Sequence, residues 1–231
     1  MKTLNKWIHD LPADIGASAM PLDRAPQLAR KARVHIVALG DVGTTMLIGL
    51  LLAGQDVIAS VGMCDINEKN LARLEMEMNQ IRYPFAGQEG CPDPVLPAVT
   101  VVGEEDVFDC DVFIFCASKG VPPVGAGGDV RMAQLEANRS LIAHYAGLAR
   151  QAGFGGQVCI VSDPVDPLCR AFLTESGLHP AQIQGYGLGV MHARACYYAK
   201  KNPRFAHYLT EGRAFGPHGA DPGHRRQPGR L

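Results

Sequence analysis

The feature that most restricts the fold is a short apolar run, Val34-His35-Ile36-Val37-Ala38-Leu39, broken by Gly40-Asp41-Val42-Gly43 and followed by a longer apolar stretch over residues 44–54. A run of strand length, a glycine turn and an apolar helix form the opening of a nucleotide-binding β-α-β unit. Gly40 lets the backbone approach a pyrophosphate closely, and Gly43 lets the helix pack against the strand. The exposed N–H groups of Gly40, Asp41, Val42 and Gly43 at the helix start would then face the phosphates. Ala38 stands where the usual pattern has its first glycine. A second apolar run, residues 56–64, stops at Asp65-Ile66-Asn67. An acid at that point is placed to accept from both ribose hydroxyls and to repel a 2′-phosphate, which favours NAD over NADP. The plainer alternative is an ordinary β-α-β turn with a surface Asp.

Strand-like and helix-like segments keep alternating. Residues 67–80 are amphipathic, and a Pro/Gly-rich loop spans 83–97. Strands are expected at 98–102, 111–116 and 157–161. A glycine-rich loop, 119–129, leads into a long helix over 130–151, and another helix follows from Pro167. That order predicts a Rossmann-type, doubly wound parallel α/β sheet. Residues 1–31 read as an N-terminal arm that folds onto the body or wraps a neighbouring subunit. Residues 32–184 read as the NAD-binding domain, and residues 185–231 as an incomplete C-terminal α+β substrate domain.

The net charge of −1 argues against nucleic acid or an anionic membrane as partner. The longest apolar run, 46–53, is far too short to span a bilayer. Seven cysteines form no C-x-x-C pair, and most sit in apolar runs, where a thiol acts as a small hydrophobe. A reduced, cytoplasmic setting is expected.

Five separated segments resemble the lactate/malate dehydrogenase family. Residues 111–118, ending Cys116-Ala117-Ser118, are similar to the family's fourth strand and the turn covering the cofactor. Arg131 and Asn138 keep the seven-residue spacing found at the end of its mobile loop. Ser162-Asp163-Pro164-Val165-Asp166 resembles its S/T-N-P-V-D turn, and residues 185–194 its G-x-G-T-x-L-D-x-A-R segment. Gly216-Pro217-His218-Gly219 resembles its G-x-H-G turn. The resemblance implies an NAD-dependent oxidoreductase acting on a small 2-oxo or 2-hydroxy acid, in a homo-oligomer. It makes His218 the acid/base, because imidazole titrates near neutrality. It makes Arg194 a bidentate clamp on the substrate carboxylate and Arg131 the group polarising the carbonyl. Asn138 would orient the substrate. Ala117, Ser118, Asn138, Val161 and Asp163 would line the cofactor, with Asp163 also among the catalytic groups. No metal is implied.

Two departures stand out. Met191 occupies the position of the acid that orients the family's histidine, and a thioether cannot stabilise imidazolium. Asp163 replaces the family's Asn, so Asp163 or Asp166 would have to serve in the acid's place. The extra arginine used for malate would fall on Val121 or Gly125, with Lys119 the cation nearby, which favours a lactate-like substrate. After Asp221 the sequence turns to three arginines and two prolines in ten residues. Residues 222–231 therefore read as an out-of-frame or foreign tail, or else a basic one, and the incomplete domain is expected to weaken or abolish activity. Two other readings remain. One is an NAD-dependent glycosidase of the same fold, holding a metal through Cys169, Cys196 or His192. The other is a non-catalytic nucleotide-binding remnant.

Overall fold

The structure, a computed structural model, describes residues 30–81, 96–120 and 130–216; for residues 130 and 131 it describes the backbone alone. Six strands, β1 (Ala32–Val37), β2 (Ile58–Cys64), β3 (Ala98–Val101), β4 (Val112–Phe115), β5 (Gln157–Ile160) and β6 (Ile183–Gly185), form one sheet in the order β3-β2-β1-β4-β5-β6. Every pairing is parallel. The helices are α1 (Asp41–Ala53), α2 (Glu68–Met78), α3 (Val130–Gln151), α4 (Val165–Ser176), α5 (Leu188–Lys201) and the short α6 (Tyr208–Glu211). This is the Rossmann order, in which the chain leaves the central pair β1 and β4 toward opposite edges. A crevice results at their carboxyl ends.

Burial on both faces explains why the strands read as apolar runs rather than alternating ones. On one face α3 and α4 cover Phe113 and Phe115 with Ile142, Tyr145, Leu168 and Phe172. The Phe108 and Phe113 rings lie 4.4 Å apart there. On the other face α1 sets Leu47 and Leu51, four residues apart, against Val34 and Ile36, and α2 adds Leu71 and Leu74 over Val61 and Met63. Gly43 shares the buried stripe of α1 with Leu47 and Leu51.

Several boundaries differ from the sequence expectation. β1 runs over 32–37 rather than 34–39, because Ala38 turns into the left-handed region at φ +69°. α1 begins at Asp41, three residues before the apolar stretch, and so takes Gly43 inside the helix. α4 begins at Val165 rather than Pro167. β6 was not expected at all: three residues, Ile-Gln-Gly, carry no readable period, and their pairing with β5 defines the strand. The glycine-rich loop over 121–129, the stretch 82–95 and the N-terminal arm 1–29 lie outside the described residues.

At the amino ends of the two central strands, Arg30 and Arg33 pin the base of β1 to the start of β4. Arg30 donates to both oxygens of Asp111 at 2.7 and 2.8 Å, and the Arg33 backbone N–H adds a third bond at 2.8 Å. Burial works against ionising Asp111, but the Arg30 and Arg33 bonds outweigh it and hold its carboxyl below the usual range. Among the described residues no helix is long and apolar enough to cross a membrane.

Candidate functional site

The turn from β1 to α1 is built by side chains from three elements. Asp65, at the end of β2, accepts from the Leu39 N–H through Oδ2 at 2.6 Å and from the Asn67 N–H through Oδ1 at 2.8 Å. The Leu39 carbonyl accepts from Thr44 Oγ1 at 2.9 Å and from Asn70 Nδ2 at 3.1 Å. Ala38 donates its N–H to Cys64 O at 2.9 Å and holds a left-handed conformation. For a residue with a Cβ that conformation costs about 1–2 kcal/mol, which the surrounding bonds must offset. A Cβ on Gly43 would sit 2.0 Å from the Ala38 carbonyl oxygen, so only glycine permits this helix-to-strand approach.

These features fit a dinucleotide. A Cβ on Gly40 would meet nothing within 4 Å, leaving open space beside the backbone. Gly40 is the N-cap of α1 and no side chain caps that terminus, so its first N–H groups keep their donors for an anion. Asp41 and Val42 are exposed at the same turn, and Asp41 places its own negative charge in the first helical turn. A pyrophosphate there would therefore have to meet backbone N–H groups and not the Asp41 side chain. Asp65 still has lone pairs for ribose hydroxyls, although both oxygens already hold the turn. Ile66 beside it is fully exposed, an apolar ledge that sequence reading passed over. Thr44 and Asn70 were passed over too, because their contribution is a bond to a carbonyl far along the chain.

A second group gathers at the carboxyl ends of β4 and β5. Asn138, on α3, is completely buried. Its Oδ1 accepts from the Lys119 N–H at 2.8 Å, and its Nδ2 donates to the Asp163 carbonyl at 3.0 Å and to Ser118 Oγ at 3.4 Å. Asn138 thus ties the turn Ala117-Ser118-Lys119 to the turn after β5. Ala117 is buried and Ser118 exposed; Val161 and Asp163 are half-buried beside them. Lys119 places Nζ 2.6 Å from Ser140 Oγ. Ser162 Oγ is buried, with no hydrogen-bond partner among the described residues. An orphaned hydroxyl at this point of the crevice is what a bound cofactor edge could satisfy.

The remaining candidates are less connected. Arg194 lies exposed on α5, and no hydrogen bond or ion pair joins it to the crevice among the described residues. Met191, one turn earlier, is half-buried. Asp166 is exposed in the first turn of α4. The Arg131 side chain, Val121, Gly125, His218 and the tail 222–231 lie outside the described residues. Of the cysteine and histidine set, His192 lies 3.5 Å from Cys196 Sγ through Nε2 and 3.3 Å from Tyr208 Oη through Nδ1. Cys169 sits apart beside Gly185, its thiol pushed up to about 12, chiefly by burial. Among the described residues, no three His, Cys, Asp or Glu side chains come together as a metal site.

No family model matches the chain. It is 24% identical over 191 residues to an L-lactate dehydrogenase of Mycoplasma pneumoniae, covering 82% of this chain and 57% of the relative. An L-lactate dehydrogenase of Shouchella clausii is 26% identical over 172 residues, covering 74% and 48%. Among solved structures, a lactate dehydrogenase from a Medee basin deep-sea metagenome library superposes with a TM-score of 0.60 at 22% identity, over 76% of this chain and 51% of that one. The minor L-lactate dehydrogenase of Enterococcus mundtii gives 0.55 at 21% identity, over 75% and 52%. At these identities the structures speak for the fold, and the chain spans about half the length of the curated relatives it matches. The Rossmann fold fits NAD binding. Sequence and fold lead to the same place: over most of its length the chain is similar in sequence to L-lactate dehydrogenases, and it shares the fold of solved lactate dehydrogenases.

Proposed function

We propose that the chain is an NAD-dependent oxidoreductase that moves a hydride between the nicotinamide and a small 2-hydroxy or 2-oxo acid, lactate-like rather than malate-like. The observation that carries this reading is the uncapped N-terminus of α1, with open space at Gly40, set beside Asp65 at the end of β2. Backbone N–H groups of residues 40–43 would hold the pyrophosphate, Asp65 the ribose, and Ala117, Ser118, Val161 and Ser162 the nicotinamide side. When bound, NAD supplies or accepts the hydride at the substrate's C2.

The chain's own groups do the rest. Arg194 grips the substrate carboxylate with two parallel bonds, which a lysine could not reproduce. Arg131 polarises the C2 carbonyl as its loop closes, and His218 passes a proton to the oxygen on C2. Asn138 acts by positioning: buried and fully engaged, it fixes the two turns that flank the substrate. The lactate-like preference rests on the absence of an arginine at Val121 and Gly125. The working assembly in this reading is a homo-oligomer, as the resemblance to lactate dehydrogenases implies.

The test follows NADH absorbance with pyruvate and a panel of longer and dicarboxylic 2-oxo acids. Turnover on monocarboxylic 2-oxo acids, a sharply raised KM in Arg194→Lys and a collapsed kcat in His218→Asn are expected. Full activity in His218→Asn would sink the mechanism.

A second reading, a nucleotide-binding protein without turnover, is favoured by Met191, which leaves His218 without the family's orienting acid. NADH binding with no oxidation of NADH by any 2-oxo acid would select it.

A further inference from the structure

The two faces of the sheet are not equally covered. α3 and α4 close one face over β4 and β5, whereas on the other face α1 and α2 pack over β1, β2 and β3. Beside α1 this leaves a cavity of about 830 Å³. Val34, Met46, Leu50, Ile114, Cys159 and Val161 line it. Met46, Leu50 and Val161 are only half-buried, and Val57 at the rim is 65% exposed. Among the described residues, a volume of this size walled by apolar side chains suits an apolar ligand or segment.

The chain itself enters at the rim of this cavity. Arg30 and Lys31 both line it. Arg30 is forked onto Asp111, and Lys31 Nζ donates to Gln55 O at 2.6 Å. The first described residues, Arg30 and Lys31, are thus fixed at the cavity mouth, and the segment 1–29 joins the chain there. In that segment Leu4, Trp7, Ile8 and Leu11 fall at i, i+3, i+4 and i+7, the spacing of one apolar helix face, with Lys2, Asn5, Lys6 and Asp10 off the stripe. Pro12 follows immediately, where a helix would stop. Eight helical residues measure about 12 Å. A four-residue parallel strand such as β4 measures about 13 Å, so the two lengths match. The intervening eighteen residues, with three prolines, reach about 23 Å even as a flexible coil, ample for a return to the rim. Asp56 on that rim offers an anionic partner to Lys2 or Lys6.

We propose that residues 4–11 of the N-terminal arm dock as a short amphipathic helix in this cavity of their own subunit, burying Trp7 against Met46, Leu50 and Val161. The arm then supplies the missing cover on the α1 side of β4 and β5.

Trp7 is the single tryptophan of the chain, so its fluorescence reports the arm alone. In the full chain its emission should lie to the blue of free tryptophan. Acrylamide should quench it several-fold less steeply than free tryptophan, with no change on dilution. Met46→Lys, which puts a charge into the cavity, and Ile8→Asp, which alters only the arm and leaves the body untouched, should each shift the emission to the water position. Far-ultraviolet circular dichroism of Ile8→Asp should show the body still folded. Water-like emission in the unaltered chain would overturn the proposal. So would protection that disappears on dilution, which would place the arm on a second copy, or protection that survives both substitutions.

Discussion

Replacing Gly43 with Ala should break the joint between β1 and α1. The added Cβ would sit 2.0 Å from the Ala38 carbonyl oxygen and 3.0 Å from its carbon, where ordinary contact begins at 3.4 Å. More than an ångström must open, and the obstacle is backbone on both sides, so no side chain can swing away. Ala38 is already held in the left-handed region, with its N–H bonded to Cys64 O, and has little freedom to retreat. Overpacking of this kind costs about 1–3 kcal/mol, and the rigid partner puts it at the upper end. Alanine returns about 1 kcal/mol through its better helix propensity. The net loss is therefore about 2 kcal/mol, a large share of a typical stability of roughly 5–15 kcal/mol. Urea unfolding followed by circular dichroism should show the midpoint falling by roughly 1 M. Displacing the start of α1 should also weaken NADH binding in the same protein. An unchanged midpoint together with unchanged NADH affinity would refute the claim that Gly43 is required by close packing.

Three further outcomes are expected. Asn138→Ala leaves the Lys119 N–H and the Asp163 carbonyl without their partner at a fully buried site; thermal unfolding should show a loss of roughly 2–3 kcal/mol. Asp111→Asn tests the acid side of the stability curve. Because the folded carboxyl titrates below its unfolded value of about 3.9, its contribution is present above that pH and is lost as pH falls toward the depressed folded value. Denaturant midpoints measured against pH should show a flatter acid limb in the variant, and a lower plateau near neutrality. Finally, Cys110, Cys116 and Cys169, each pushed up to about 12 chiefly by burial, should resist alkylation near pH 8, while the half-buried Cys196 is modified before them; brief labelling and peptide mass spectrometry reads the order.

Much of the architecture is written in local pattern. The long helix over 130–151 is found with the same bounds the sequence suggests, because its amphipathic repeat is uninterrupted and a glycine-rich loop precedes it. The β1–α1 turn was legible as a motif but not at its edges. Apolar character runs on through Ala38 and Leu39, yet the strand ends at Val37, since the Leu39 N–H turns to the Asp65 carboxylate 26 residues away. Only tertiary structure supplies that partner. β6 was illegible for the same reason: a three-residue strand exists through its neighbour β5. At the site, Asp65 was legible as a candidate by its place at the end of an apolar run. Its second duty, clamping the turn together with Thr44 and Asn70, was not. Asn138 was named from its spacing to Arg131, and its complete burial with every bond spent on backbone and Ser118 could not be read from spacing.

The most direct measurement is a pair of fluorescence titrations, NADH and NADPH, on the chain and on its Asp65→Asn variant. Asn keeps one acceptor, for the Leu39 N–H, gives up the bond from the Asn67 N–H, and removes the charge that would repel a 2′-phosphate. Saturable NADH binding, about tenfold or more tighter than NADPH, is expected in the unaltered chain, a difference of at least about 1.4 kcal/mol. The variant should narrow that gap while remaining folded. Equal affinity for the two cofactors, or no saturable binding of either, would contradict the assignment of this crevice to NAD.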